Sequence, residues 1–231
     1  MALLAPTGAQ FENPEPGSYV ARCYGFIDLG TQPHKSTHAS KEDWVQRDVR
    51  FLFELPFNLM TGRFNKENEG KPFVVSITTK FSLAPGAKFF KMITGWRGKA
   101  LTPDEAKTFP VRKMIGSTVR LSLIENGEYT NIDSFSKIAA NEAASVPPMI
   151  STPIYFSLDP DEFKQEIFDG FSDKNKAKIS SSPEYIELFA PKKPVSAPSV
   201  GRSAPISEDE AANLVSRKTA KEPAVEDEDP F

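Results

Sequence analysis

The chain has 231 residues, 39% of them hydrophobic, and carries 28 Lys and Arg against 31 Asp and Glu for a formal net charge of −3. That length fits one ordinary domain with additional segments, and the modest apolar content implies that part of the chain buries no core. The single cysteine, Cys23, excludes an internal disulfide and a cysteine-built zinc site, and no stretch reaches the roughly 18 apolar residues that a membrane-spanning helix needs.

The near-neutral total hides a charge split. Between Lys80 and Leu123 stand nine basic residues, Lys80, Lys88, Lys91, Arg97, Lys99, Lys107, Arg112, Lys113 and Arg120, against only Asp104 and Glu105. Residues 222–231 carry five acids and no base. A basic body with an acidic tail points to a nucleic-acid partner. The start, MALLAPTGAQ, lacks the basic and apolar regions of a signal peptide, so a cytoplasmic location is expected, with no membrane contact.

In chain order, residues 18–29 alternate by side. Tyr19, Ala21, Cys23, Gly25 and Ile27 share one face, and Arg22, Tyr24 and Phe26 the other, which is the period of a strand. Residues 30–43 are polar and turn-rich and read as a long loop. Residues 44–55 place Val45, Val49, Phe51, Phe53 and Leu55 on one face of a second strand. After an Asn- and Gly-containing loop, residues 73–83 form a third strand, with Phe73, Val75, Ile77 and Phe81 inward and Ser76, Thr78 and Lys80 outward. Phe89, Met92, Ile93 and Trp96 recur at helical spacing over 86–96. Thr102-Pro103-Asp104-Glu105 reads as a capping box with proline at the first helical position, so a short second helix starts there. Residues 117–125 and 128–138 flank Asn126-Gly127, a two-residue hairpin turn.

The expected fold is therefore mainly β: a five-stranded OB-type barrel over residues 1–145, with a helix between the third and fourth strands. Over 146–190, Asp159-Pro160-Asp161-Glu162 reads as another helix start, with Phe163, Ile167 and Phe168 as its apolar side. Ile179, Tyr185, Ile186 and Leu188 continue an apolar pattern, giving short helices packed on the barrel or on a partner. Residues 191–231 are rich in Pro, Ser and Ala before the acidic tip and read as a disordered linker and tail.

An OB barrel holds single strands with cations for phosphate and aromatic rings for bases. The residues suited to this are Arg22, Tyr24 and Phe26 on the first strand, Lys35 and Lys41 in the loop, Trp44, Arg47 and Arg50 on the second strand, Lys80 on the third, and Lys88 and Lys91 on the helix. For Tyr24 and Trp44 the competing assignment is core or edge packing, and for each lysine a solvated surface charge. His34 and His38 lie four apart in a polar loop with no third ligand, so no metal is expected. No GK[ST] phosphate loop appears, no ordered acids suit two-metal nuclease work, and no histidine is placed as a base for Cys23. No enzyme activity and no cofactor are expected.

The last residues, Glu226-Asp227-Glu228-Asp229-Pro230-Phe231, resemble the acidic, Phe-ended tip of bacterial single-stranded DNA-binding proteins. The body, with GSYVARCYGFIDLGTQ and the closing hairpin, is more similar to the single-stranded DNA-binding proteins of tailed bacteriophages. The resemblance implies a protein that binds and protects single-stranded DNA in replication, recombination or repair, in a host cytoplasm if phage-encoded. It implies that residues 226–231 recruit a polymerase, helicase, primase or nuclease, with Phe231 as the specific element and the acids as steering charge. A homo-oligomer is compatible with the sequence. Two other readings remain: a virion structural or scaffold protein with an acidic assembly tail, and a metal-dependent nuclease or recombination enzyme.

Overall fold

A computed structural model describes residues 12–37, 40, 42–127 and 129–190. Lys41, His38 and residues 191–231, which include the expected linker and the acidic tip, lie outside the described residues.

Six strands form one sheet: β1 (Gly17–His34), β2 (Trp44–Leu59), β3 (Pro72–Lys80), β4 (Thr118–Asn126), β5 (Tyr129–Ser136) and β6 (Ile154–Phe156). Their order is β3-β2-β1-β4-β5, antiparallel throughout, with the three-residue β6 added in parallel alongside Gly25–Ile27 of β1. The edge strands β3 and β5 approach each other, but among the described residues no hydrogen-bonded ladder joins them. Between β3 and β4 run α1 (Lys88–Arg97) and α2 (Pro103–Lys107). Beyond β5 come α3 (Ala140–Ala144), α4 (Gln165–Asp169), α5 (Asp173–Ser180) and α6 (Pro183–Phe189).

Local sequence accounts for much of this. The β4–β5 hairpin closes at Asn126 opposite Tyr129, and Gly127 takes the left-handed backbone that a tight turn demands, with φ 64°. Phe89, Met92, Ile93 and Trp96 bury the inner face of α1. α2 opens with the reciprocal capping of Thr102 and Glu105, and Pro103 occupies its first turn.

The main core lies between the inner sheet face and α1. It contains Ala21, Cys23, Phe26, Val49, Phe51, Phe53, Leu55, Val75, Ile77 and Trp96. Val119, Leu121 and Leu123 of β4 complete it, in step with the sheet's alternation. A second, smaller cluster lies on the outer face of β1 and β2: Ile27 and Leu29 pack under Phe156, Leu158, Phe168 and Ile179, with Leu52 partly buried against them. Residues 146–190 thus cover the outer face of the central strands, as one compact unit with the sheet.

The structure corrects several expectations. A β-bulge inserts Tyr24 between the Cys23–Phe53 and Gly25–Leu52 pairs, which shifts the alternation by one residue. Phe26 therefore pairs with Phe51 inside the main core, 4% exposed, and is no outward ring. Ile27, expected on the same face as Cys23, lands in the outer cluster instead. Val45 is 70% exposed rather than inward, because it lies beyond the part of β2 that α1 and β3 cover. The third strand stops at Lys80, and Phe81 lies past its end, about half exposed. Asp159–Glu162 forms only a turn, in which Asp159 accepts from the amides of Glu162, Phe163 and Asp161, and α4 begins later, at Gln165.

Candidate nucleic-acid interface

Most of the outward residues of β1 and β2 are engaged by the 146–190 segment. Arg22 donates to the carbonyls of Pro147 and Val146. Its cross-strand partner Glu54 is fully buried, and its carboxylate accepts from the amides of Ile150 (3.2 Å) and Ser151 (2.8 Å). Together the two side chains grip the carbonyls and amides of one extended stretch, so each buried charge finds backbone dipoles.

The grip repeats further along the strands. Arg50 donates to Thr78 Oγ1 (3.1 Å) and to Asn175 Oδ1 of α5 (3.0 Å), and burial lowers its pKa. Buried Asp28 takes Arg47 and the amide of Leu158, and the bond from Arg47 to Asp28 raises the arginine's pKa. Asp48, also buried, lies 3.4 Å from Lys178 Nζ. Glu184 accepts from the amide and hydroxyl of Thr31 at 2.8 and 2.6 Å. Burial alone would raise its pKa, but the bonds from Thr31 outweigh this and the net shift is downward. The approach of α6 depends on Gly30, at φ 71°, because a Cβ there would sit 2.4 Å from the Ser182 side chain. Tyr24 is half-buried at the bulge, and its phenol is pushed up to about 12, by burial first and then by the nearby Glu54 charge.

Arg22 and Arg50 therefore serve the packing of the 146–190 segment, Arg47 is paired with buried Asp28, Phe26 serves the core, and Tyr24 is half-buried. Sequence reasoning missed the buried acids Asp28, Asp48 and Glu54. A signal was present, since Asp28 stands between Ile27 and Leu29, and Glu54 between Phe53 and Leu55. A charge inside an apolar run needs a buried partner.

Trp44 stands at the other end of β2, its first residue. Trp44 is 47% exposed, and its indole lies parallel to the ring of its cross-strand neighbour His34, with centroids 5.4 Å apart and planes 12° apart. The indole N–H donates to Gln46 Oε1 at 3.2 Å. His34 is in turn held by Asp48, with Nε2 3.1 Å from Oδ2. Three residues along β2, the Arg47 carbonyl accepts from the amide of Phe81, and the Arg47 guanidinium sits 6.0 Å from the Phe81 ring centre. The Phe81 ring rests 5.7 Å from that of Phe89 in the first turn of α1. Lys35, Lys80, Lys88 and Lys91 are exposed, and none of their side chains has a hydrogen-bond or ion-pair partner among the described residues.

Much of the basic 80–123 stretch is neutralised locally. Arg97 pairs with Glu105, Lys107 with Asp104, Arg112 with Glu162 and Arg120 with Glu142. Among the described residues, no group of three or more His, Cys, Asp or Glu is placed to hold a metal ion, and no helix is long and apolar enough to cross a membrane. Compared with protein-family models, curated proteins and solved structures, the chain matches none.

Proposed function

We propose that the chain binds single-stranded DNA without strong sequence preference, and that its sheet closes between β3 and β5 as an OB-type barrel. Two features support the barrel: the order β3-β2-β1-β4-β5, which brings the β3 and β5 edges near each other, and the placement of α1 between β3 and β4. The observation that carries the DNA reading is Trp44, a half-exposed indole braced flat against His34. A braced, open ring costs little entropy to order when a base stacks on it, and stacking contributes roughly 1–3 kcal/mol per base. Lys35, Lys80, Lys88 and Lys91 supply exposed positive charge for phosphates, without an ion-pair partner among the described residues, and Phe81 offers a second partly exposed ring. The role so proposed is non-enzymatic: covering single strands during replication, recombination or repair, with residues 226–231 recruiting partner proteins.

The test is direct, because the chain has two tryptophans and the other, Trp96, is buried. Adding an oligodeoxythymidylate should quench the protein's tryptophan emission saturably, and Trp44→Phe should abolish most of the quench. Emission that stays constant through the titration would refute Trp44 as the platform.

A further inference from the structure

Away from Trp44, a pocket of about 260 Å³ opens between α1 and the 3-10 helix Val111–Met114. Its walls are apolar: Ile93 and Trp96 from α1, then Phe109, Pro110 and Met114. Its polar contributors are Arg97, Lys113 and Ser117. The Ser117 hydroxyl is committed to the Met114 carbonyl at 2.6 Å. Arg97 spends Nη2 on Glu105 at 2.6 Å, while its Nη1 is buried with no hydrogen-bond partner among the described residues. Lys113 is exposed and has no partner among the described residues.

A buried guanidinium nitrogen left unpaired is costly, and an acceptor from outside would relieve that cost. Both charged residues of the lining, Arg97 and Lys113, are cations. This combination fits a ligand with an apolar body and carboxylates beside it. A nucleobase fits less well, because most of its polar edge would meet hydrocarbon. The volume suits one aromatic side chain.

We propose that this pocket docks a partner protein through one aromatic side chain set within an acidic segment. The ring enters between Phe109 and Trp96, and carboxylates on either side of it pair with the Arg97 guanidinium and Lys113 Nζ. The proposal is independent of the DNA reading, since it uses none of Lys35, Trp44, Lys80 or Phe81.

The experiment uses the full chain carrying Trp44→Phe, so that Trp96 in the pocket wall is the only fluorophore of its kind. The probe is the pentapeptide Asp-Glu-Phe-Asp-Glu, acetylated and amidated. We expect a saturable change in Trp96 emission. The same change should be absent with Asp-Glu-Gly-Asp-Glu and with Lys-Lys-Phe-Lys-Lys. Lys113→Glu, an exposed change outside the core, should weaken binding by about tenfold, and Arg97→Gln should weaken it while near-ultraviolet circular dichroism confirms an intact fold. No response to the phenylalanine peptide, an equal response to the glycine peptide, or indifference to Lys113→Glu overturns the proposal. So does a Trp96 response to oligodeoxythymidylate alone, which would make the pocket a base subsite.

Discussion

Trp44 and Phe26 are both aromatic residues near the start of their strands, both suited by sequence to stacking on bases, and the structure buries one and leaves the other half exposed. Phe26 is buried, with ring centroids 5.3 Å from Phe51 and 5.5 Å from Tyr155. Truncation to alanine leaves a ring-sized void in a close-packed core and should cost about 3–5 kcal/mol of stability. Trp44 touches the fold through the His34 stack and one bond to Gln46. Trp44→Ala should therefore cost less than about 1 kcal/mol of stability. It should instead remove one base-stacking platform worth roughly 1–3 kcal/mol, which weakens DNA binding by about 5- to 150-fold. Stability is read by urea denaturation followed by far-ultraviolet circular dichroism. Binding is read by anisotropy of a labelled oligodeoxythymidylate, which needs no tryptophan. If Trp44→Ala destabilises the chain as much as Phe26→Ala, or leaves DNA affinity unchanged, the assignment of the two rings is wrong.

Glu54→Ala should cost about 2–4 kcal/mol, because it strands the Ile150 and Ser151 amides and leaves Arg22 without a neighbouring charge; hydrogen exchange at those two amides should speed up well before global unfolding. Glu105 is held at about 2, below its ordinary 4.5, chiefly by Arg97 and then by the Thr102 amide. Its contribution to stability is therefore complete above about pH 4.5 and lost as pH falls towards 2. In acid-titration unfolding, Glu105→Gln should flatten the profile within that window only. Removing residues 222–231 deletes five negative charges that repel phosphate. DNA affinity should rise at low salt, and the gain should shrink as salt screens it, in the same anisotropy assay.

What the sequence revealed tracks how local each cause is. The β4–β5 hairpin, the apolar face of α1 and the Thr102–Glu105 capping box each depend on residues a few positions apart, and each forms, with the hairpin turn one residue later than expected because Asn126 still pairs with Tyr129. The bulge at Tyr24 depends on which residues of β2 lie opposite, and no alternation within β1 announces it. That one inserted residue moved Phe26 into the core and Ile27 out of it. The covering of β1 and β2 by residues 146–190 was hidden for a similar reason. Arg22, Arg47 and Arg50 look like phosphate ligands until Pro147, Asp28 and Asn175 are seen beside them, and Pro147 and Asn175 lie more than a hundred residues away in sequence. β6, three residues long, has too little length to show a period. Trp44 was legible as a ring beside a basic loop, but its flat seat on His34 follows from the β1–β2 register.

The proposed single-strand binding rests on exposed cations and an open ring. Its most direct test is a gel-shift series with the full chain, using single-stranded and duplex DNA of the same sequence at several salt concentrations. A clear preference for the single strand is expected, with affinity falling steadily as salt rises because phosphate contacts release counterions. Equal binding to both forms, or binding insensitive to salt, would contradict it.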